Sequence, residues 1–176
     1  MQTHFVPFPK LYTARLELRA LVPTDAPEIF VFRSDLRMLE FIGRAPAKTV
    51  EEAEGWMQTV EKETTFWGIT LKNSPRLIGT ICLWNLAPET ATAEIGYVLH
   101  PDFWGQGIMQ EALVSVVAFG FEVMEARIIE AHLQPGNLRS ARLVERNGFV
   151  LDGEKDGYLV YVLTNSGGSL DPAKLA

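Results

Sequence analysis

The order of strand-like and helix-like segments predicts an α/β (α+β) fold with one mixed sheet of about seven strands flanked by helices. The first observation is a repeated change of period along the chain, which gives the order β, two or three helices, β-hairpin, β, α, β, α, ββ. The second is size and composition, because 176 residues with 47% hydrophobic and 22% charged residues suit one folded domain. The third is that the sequence shows no internal repeat, linker or low-complexity block.

The first third of the chain predicts one strand and then helices. Residues 15–21 alternate polar and apolar side chains, as in a half-buried strand. Thr24 and Asp25 offer a helix N-cap, and Thr49 offers another before a run of acidic residues that suits the positive end of a helix. The predicted elements are a strand at 15–21, a helix from about 25 to 33, a short helical piece at 36–42 and a helix at 50–62.

The rest of the chain alternates between strands and helices. Asn147-Gly148 ends a helix in the usual left-handed manner, and Asp156-Gly157 suits the turn of a final hairpin. We expect residues 1–176 to form one domain, with a core of about 11–164 and a flexible tail of about 165–176. The predicted elements are strands at 64–72 and 76–84, a strand at 91–99, a helix at 107–121, a strand at 127–133, a helix at 138–146 and strands at 149–154 and 158–163.

Charge and composition exclude several classes of function. The net charge of −6 argues against nucleic acid or an anionic membrane as the main partner, and weakly favours a cationic acceptor. A single cysteine, Cys82, allows no internal disulfide and no cysteine metal cluster, and we expect no metal. The chain has neither an apolar run of the ~20 residues that a membrane helix needs nor an apolar core of a signal peptide, so we expect a cytoplasmic protein.

The most informative segment, residues 97–113, predicts a strand, a glycine turn and a helix. Such a turn presents free backbone N–H groups and the positive end of a helix dipole, which together bind phosphate groups. Gly105 and Gly107 lie in the turn, but the segment lacks the Lys-Ser/Thr ending of a P-loop and the third glycine of a dinucleotide fingerprint. Gly96 interrupts the preceding strand, so residues 97–99 are expected to pair with an extended, amide-bearing ligand. Coenzyme A has that shape.

The turn Trp104-Gly-Gln-Gly-Ile-Met109 resembles motif A of the GNAT-type N-acetyltransferase superfamily, Gln/Arg-x-x-Gly-x-Gly/Ala. Trp104 and Met109 depart from its first and last positions. The surrounding sequence, over roughly residues 11–164, is similar to the RimJ/RimL-like branch, the ribosomal-protein N-terminal acetyltransferases. This resemblance implies a GNAT-like acyl-CoA N-acyltransferase fold, mostly antiparallel and splayed at its central parallel strands. It also implies acetyl-CoA as co-substrate and a possible homodimer. The coenzyme-binding residues that it implies are Tyr97, Val98, Leu99, Trp104, Gly105, Gln106, Gly107, Ile108, Met109 and Asn137.

A second polar segment, residues 135–149, predicts a short helix beside this turn. Asn137 suits its N-cap, and the resemblance implies that Asn137 also contacts the pantetheine arm. Many GNAT enzymes carry a tyrosine on this helix as the acid for the departing thiolate, but Val144 stands at that position. Ser140 lies one turn earlier on the same face, and the resemblance implies a role near the thiol. Tyr158 and Tyr161 are alternative donors that spacing does not separate.

Direct transfer to an amine calls for a general base. Glu94 is the candidate, because strand alternation puts it on the same face as Gly96 and Val98; a surface carboxylate is the other interpretation. His100 and His132 are weaker candidates. We therefore predict an acetyl-CoA-dependent N-acetyltransferase whose leading acceptor is a protein or peptide N-terminus. A small amine (polyamine, amino acid or antibiotic) and a non-catalytic acyl-CoA-binding module are the alternatives, and acceptor specificity is expected from the helical region near residues 24–62.

Overall fold

A computed structural model describes residues 1–63 and 65–165 of the chain. Thr64 and the predicted tail beyond Asn165 lie outside the described residues. The described residues form one eight-stranded sheet in the order β1-β2-β3-β4-β5-β6-β8-β7. The strands are β1 (Leu11–Tyr12), β2 (Leu16–Arg19), β3 (Thr65–Leu71), β4 (Leu77–Ala87), β5 (Thr92–Leu99), β6 (Ile128–Leu133), β7 (Val150–Lys155) and β8 (Tyr158–Thr164). The helices are α1 (Ala26–Ser34), α2 (Leu36–Leu39), α3 (Val50–Glu63), α4 (Ile108–Glu122) and α5 (Leu138–Arg146).

The sheet confirms the predicted mixed architecture, with one strand more than the sequence indicated. All neighbouring strands are antiparallel except β5 and β6, which are parallel and are connected through α4. The additional strand is β1, which pairs two residues with β2 through Leu11↔Leu18 and Tyr12↔Glu17. A two-residue strand is too short to show a period of two in the sequence.

The sheet opens between β5 and β6, as predicted. The two strands pair only from Thr92↔Ile128 to Glu94↔Glu130, whereas β6 stays paired with β8 as far as Leu133. The part of β5 beyond Glu94 remains bonded to β4 on its other edge. Gly96 lies in the open part, and a Cβ there would approach Cys82 Sγ and Trp84 Nε1 to 3.3 Å each. The glycine therefore marks a close approach and not a bulge.

Two hydrophobic clusters cover the two faces of the sheet. The larger cluster packs α4 against side chains that include Leu16, Trp67 and Ile81, all fully buried. The smaller one packs α1 and α3 against the opposite face through residues such as Ile29 and Met57. β5 contributes to both clusters because its side chains alternate between the faces.

Local signals set the ends of several elements. In α5, Asn137 accepts a hydrogen bond from the Ser140 backbone N–H (3.2 Å) and so caps the helix as predicted. The helix ends with the Gly148 and Phe149 N–H groups donating to the Glu145 and Val144 carbonyls, the Schellman arrangement, with Gly148 at φ 83°. The final hairpin turns at Asp156-Gly157 with positive φ at both residues, also as predicted.

Asp25 has a different role from the predicted cap of α1. A short 3₁₀ turn, Pro23–Asp25, precedes the helix, and the Asp25 side chain makes no cap hydrogen bond to α1. Its carboxylate, 4% exposed, instead accepts from Arg19 at 2.7 and 2.8 Å and from the Val22 backbone N–H at 2.9 Å. This bidentate pair joins β2 to the start of α1.

Arg19→Met is expected to lower the free energy of unfolding by about 3 kcal/mol, because it leaves the Asp25 carboxylate buried without its partner. Urea unfolding measures this change. Lys10→Met is the matched control, since it breaks the exposed ion pair between Lys10 and Glu17 nearby and should change stability little. Equal effects of the two substitutions would show that burial of Asp25 does not govern this contact.

No helix in the part of the chain that the structure describes is both long and apolar enough to cross a membrane. A cytoplasmic location stays a prediction.

Candidate active site

The turn before α4 has the geometry of an anion-binding site. Gly105 and Gly107 adopt φ values of +73° and +72°, the left-handed region that favours glycine. Backbone N–H groups of residues 105–110 make no hydrogen bond within the described residues. They open into a cavity of about 890 Å³ between α4, α5 and the end of β5. The α4 dipole adds partial positive charge at the same place.

Two arginines, Arg139 and Arg146, add positive charge to the walls of this first cavity. Arg37 also lines it but is paired with Asp35, and Glu40 is the acidic residue among the lining side chains. Free N–H groups and guanidinium groups are the donors that phosphate oxygens accept from. The residues present therefore fit a polyphosphate such as the pyrophosphate of coenzyme A.

Trp104, the first departure from the motif, stands where the motif has Gln or Arg and makes two contacts of its own. Its indole Nε1 donates to the Leu99 carbonyl (2.7 Å) and so fastens the turn to the end of β5. The Arg139 guanidinium lies 3.8 Å from the centre of its ring. The positive charge that an arginine would bring at position 104 thus comes from α5. Met109, the second departure, is 8% exposed, packs in the core beside the cavity and leaves the turn open.

Of the ten coenzyme-binding residues that were predicted, nine line the first cavity. The exception is Gln106, whose side chain donates to the Asp102 carbonyl (2.7 Å) while its own carbonyl accepts from Arg15 (2.9 Å). Gln106 can therefore contribute its backbone N–H but not its side chain. The nine are Tyr97, Val98, Leu99, Trp104, Gly105, Gly107, Ile108, Met109 and Asn137.

A second cavity, of about 790 Å³, meets the first one at the opening of the sheet. Six residues line both cavities: Phe41, Ile42, Tyr97, Val98, Asn137 and Ser140. Aromatic side chains of α3, β3 and β4 line the second cavity alone: Trp56, Phe66 and Trp84. A ligand in the first cavity and a ligand in the second would meet at the shared residues.

Two hydroxyl groups lie at this junction. Ser140 lies on the first turn of α5, directly after its cap. The Tyr97 hydroxyl is buried beside the Ser140 side chain and makes no hydrogen bond of full geometry within the described residues, so it is available to a ligand at this junction. Burial raises the pKa of Tyr97 to about 12, with the nearby Ser140 side chain acting in the opposite direction. Sequence analysis selected Tyr97 for coenzyme binding and missed its hydroxyl as a donor.

The other candidate donors differ in whether they line one of the two cavities. Val144 is fully buried and lines neither cavity. Tyr161 donates to Glu145 Oε1 (3.2 Å) and also lies outside both cavities. Tyr158 lines the second cavity, so of the two tyrosines named as alternatives only Tyr158 reaches the site.

Glu94 lines the second cavity, on the face of β5 that it shares with Gly96 and Val98. Burial raises the pKa of the Glu94 carboxyl, and the neighbouring Glu130 adds to this effect. His132, a hydrogen bond from Asn85 Nδ2 (3.3 Å) and Lys155 lower that pKa, but the net direction is upward. A carboxylate with a raised pKa inside a cavity suits a general base.

The two histidines differ in their position. His132 lines the second cavity, where its Nε2 lies 2.7 Å from Glu130 Oε2. His100 Nδ1 accepts from the Asp102 backbone N–H (3.3 Å) in the turn after β5, and it lines neither cavity. His100 therefore ends the strand, while His132 stays an alternative base.

Comparison with known proteins gives the class of this site. A family model described as an acetyltransferase (GNAT) domain matches residues 15–150, which include α4, α5 and the open edge of β5. The protein is an N-acetyltransferase. As the extent of that match shows, the chain belongs to the GNAT acetyltransferase family.

Individual relatives support the same family and the predicted branch. The N-acetyltransferase YoaA of Bacillus subtilis (strain 168) is 34% identical over 157 residues, covering 86% of this chain and 89% of the relative. The ribosomal-protein-serine acetyltransferase of Escherichia coli (strain K12) is 36% identical over 77 residues, 44% of this chain and 43% of that protein. The structure of Mycobacterium smegmatis RimJ in complex with CoA-disulfide superposes with a TM-score of 0.83 at 20% identity, over 99% of this chain and 95% of that one. This last likeness concerns the fold, and the resemblance to the RimJ/RimL-like branch is confirmed.

Proposed function

We propose that this chain transfers an acetyl group directly from acetyl-CoA to a primary amine, with the N-terminal α-amino group of a protein or peptide as the leading acceptor. One observation carries the proposal: the cavity at the α4 N-terminus and the cavity that contains Glu94 meet at Tyr97, Val98, Asn137 and Ser140. A coenzyme held in the first cavity and an amine held in the second would react at that junction. Membership of an acetyltransferase family favours this enzyme over a non-catalytic binding module.

The first cavity would hold the coenzyme through backbone and guanidinium donors. N–H groups of the turn before α4, together with Arg139, would bind its phosphates. The edge of β5 beyond Glu94 no longer pairs with β6, which leaves room for an extended, amide-bearing arm beside Tyr97 and Val98. When bound, acetyl-CoA supplies a thioester carbonyl that a neutral amine can attack.

The second cavity would supply the proton transfer. The amine nitrogen forms a bond to the acetyl carbon, the bond from that carbon to sulfur breaks, and the nitrogen loses one proton. Glu94 accepts that proton, directly or through water, and the Ser140 or Tyr97 hydroxyl donates to the leaving sulfur. An α-amino group, with a pKa of about 7.7–8.0, needs less help than a lysine side chain at about 10.4.

The acceptor class rests on chemistry and on the relatives. The ribosomal-protein-serine acetyltransferase that matches part of this chain favours a protein acceptor. A small-molecule amine is the second candidate, favoured by a cavity of about 790 Å³ that is lined by seven aromatic (Phe, Trp and Tyr) and several charged side chains. We also propose a cytoplasmic location, and the homodimer stays a prediction.

The test follows the release of free thiol from acetyl-CoA with panels of N-terminal peptides and small amines. Acceptor-dependent thiol release with any primary amine supports the transfer reaction. Thermal stabilisation by acetyl-CoA without acceptor-dependent release would instead favour a binding module. The coenzyme assignment fails if acetyl-CoA produces no stabilisation at all.

Arg139→Met is expected to raise the KM for acetyl-CoA about tenfold with little change in kcat, because a phosphate contact away from the reacting atoms contributes to binding alone. Steady-state kinetics at several salt concentrations measure this. Arg142→Met, one turn away on α5 and outside both cavities, is the matched control and should leave the KM unchanged. If both variants behave alike, the stacked Arg139 does not bind the coenzyme.

A further inference from the structure

Two arginines line the second cavity without an anionic partner among the described residues. Arg33, on the last turn of α1, and Arg44, between α2 and α3, both line that cavity. The Arg33 guanidinium lies 4.4 Å from the ring centre of Trp56, yet its Nε and Nη1 are buried and make no hydrogen bond within the described residues. Neither arginine forms an ion pair in the described part of the chain.

The electrostatics around these two arginines are unfavourable without a ligand. Burial, followed by the positive charge of Arg44, lowers the pKa of Arg33 to about 10, while Glu52 acts weakly in the other direction. Partial burial also lowers the pKa of Arg44, although its side chain keeps contact with solvent. The cost of a missing anion therefore falls mainly on Arg33, since an unpaired buried charge loses its hydration without compensation. An anionic group in the cavity would supply acceptors to the buried Arg33 nitrogens and a counter-charge to Arg44.

The same cavity contains the carboxylate of the proposed base. Glu94 and His132 line it, with Lys155 and Asp156 at the end of the final hairpin. Cys82, on β4, is a further lining residue. The cavity therefore combines charged side chains of both signs with the apolar rings of Trp56, Phe66 and Trp84.

We propose that the acceptor is a primary amine that also carries an anionic group, such as a carboxylate, which binds to Arg33 and Arg44 while the amino group lies near Glu94. This inference rests on the proposed acetyl transfer and narrows its acceptor. It disfavours polyamines, even though the net charge of −6 on the whole chain would attract them. The anionic group is either the α-carboxylate of a free amino acid or an acidic side chain at the start of a peptide.

Paired acceptors test the charge requirement and separate these two sources. Leucine is compared with leucinamide, and the peptide Asp-Ala-Ala-amide with Asn-Ala-Ala-amide; spermidine represents polyamines. We expect kcat/KM to be about tenfold or more higher for the anionic member of at least one pair, the size expected for a charge-assisted hydrogen bond. A preference within the first pair indicates a free amino acid, and one within the second pair indicates an acidic peptide N-terminus.

Arg44→Gln should remove most of the preference within the pair that shows it, while changing the rate with the neutral member much less. Arg76→Gln, in the turn between β3 and β4 and outside both cavities, is the matched control and should keep the preference. Arg33→Gln should act like Arg44→Gln; because Arg33 also packs on Trp56, Arg44→Gln decides the question if that variant does not fold.

Equal use of both members of each pair, or a preference for spermidine, would overturn the anionic acceptor and leave acetyl transfer intact. Absence of acceptor-dependent thiol release with every amine would instead count against the proposed function. In that event calorimetry with the CoA-bound protein and the same pairs still decides the charge requirement, and equal binding within each pair rejects it.

Discussion

Glu94→Gln is expected to lower kcat/KM for the amine acceptor by about 10²–10⁴-fold near neutral pH, the usual contribution of a general base. Glu94 lies in the second cavity, and its hydrogen bond from Asn85 holds it on the face of β5 that leads to the junction with the first cavity. Glutamine has nearly the same shape and no basic oxygen, so binding of the acceptor should change much less than turnover.

The pH profile gives the sharper readout for Glu94. The carboxyl acts as a base only when ionised, so the wild-type rate should fall as the pH falls through its raised pKa. The Gln variant should lose this acidic limb and follow only the ionisation of the acceptor amine. The two rates should approach each other at high pH, where the amine is neutral without help. An unchanged profile in the variant would remove Glu94 as the base and turn attention to His132.

Stability separates this loss of activity from loss of folding. Burial raises the pKa of Glu94, which means that the folded state holds the proton more tightly than the unfolded state. Stability from this group therefore falls as pH rises from the unfolded pKa through the raised folded pKa, and the ionised form at neutral pH is destabilising. Glu94→Gln should then be at least as stable as the wild type at neutral pH. Glu89→Gln, an exposed carboxylate in the turn between β4 and β5, is the control and should alter neither activity nor its pH profile.

Features that depend on neighbours in the sequence were predictable. The cap at Asn137 and the end of α5 at Gly148 are determined within a few residues, and both agree with the structure. The glycine turn before α4 is local in the same sense, and so is the alternation that places Glu94 beside Val98. Such signals indicate a backbone conformation before any tertiary contact is known.

Contacts between residues that are distant in the sequence were not predictable. Trp104 was identified only as a departure from the motif, because nothing in the sequence pairs it with Arg139 on another helix. Asp25 was interpreted as a cap because its partner, Arg19, belongs to the preceding strand and the same residue type suits both roles. The approach of Arg33 and Arg44 depends on how α1 packs against the loop before α3, although both lie within residues 24–62, the region expected to select the acceptor.

The Tyr97 hydroxyl is the clearest example of information that only the fold contains. Strand alternation places Tyr97 on the α4 face with Ile95 and Leu99, where a tyrosine ring is an ordinary core residue. Only the opening between β5 and β6 puts its hydroxyl at the junction of the two cavities, beside Ser140 of α5. A buried hydroxyl with no well-formed hydrogen bond beyond its approach to Ser140 is weakly satisfied in the free protein and is therefore available to a ligand.

Replacing both hydroxyl groups, in the Tyr97→Phe and Ser140→Ala double variant, is expected to lower kcat by roughly 10²–10³-fold, comparable with the loss of a donor to a developing negative charge. Each single variant should lose less, because the remaining hydroxyl still donates to the leaving sulfur; a double-mutant cycle measures this sharing. The KM for acetyl-CoA should change little. Tyr161→Phe, whose hydroxyl bonds to Glu145 outside both cavities, is the matched control.

The pH dependence and the stability of Tyr97→Phe distinguish a donor from a structural tyrosine. With its pKa raised to about 12, the Tyr97 hydroxyl stays protonated in any assay up to pH 10, so its contribution should be constant there and the rate ratio of wild type to variant should not vary with pH. Because this hydroxyl makes no well-formed hydrogen bond beyond its approach to Ser140, removing it should change the free energy of unfolding little. A slower enzyme that is no less stable therefore assigns the hydroxyl to the reaction. A variant with full activity would leave Ser140 and Tyr158, which also line the second cavity, as the remaining candidates for the donor.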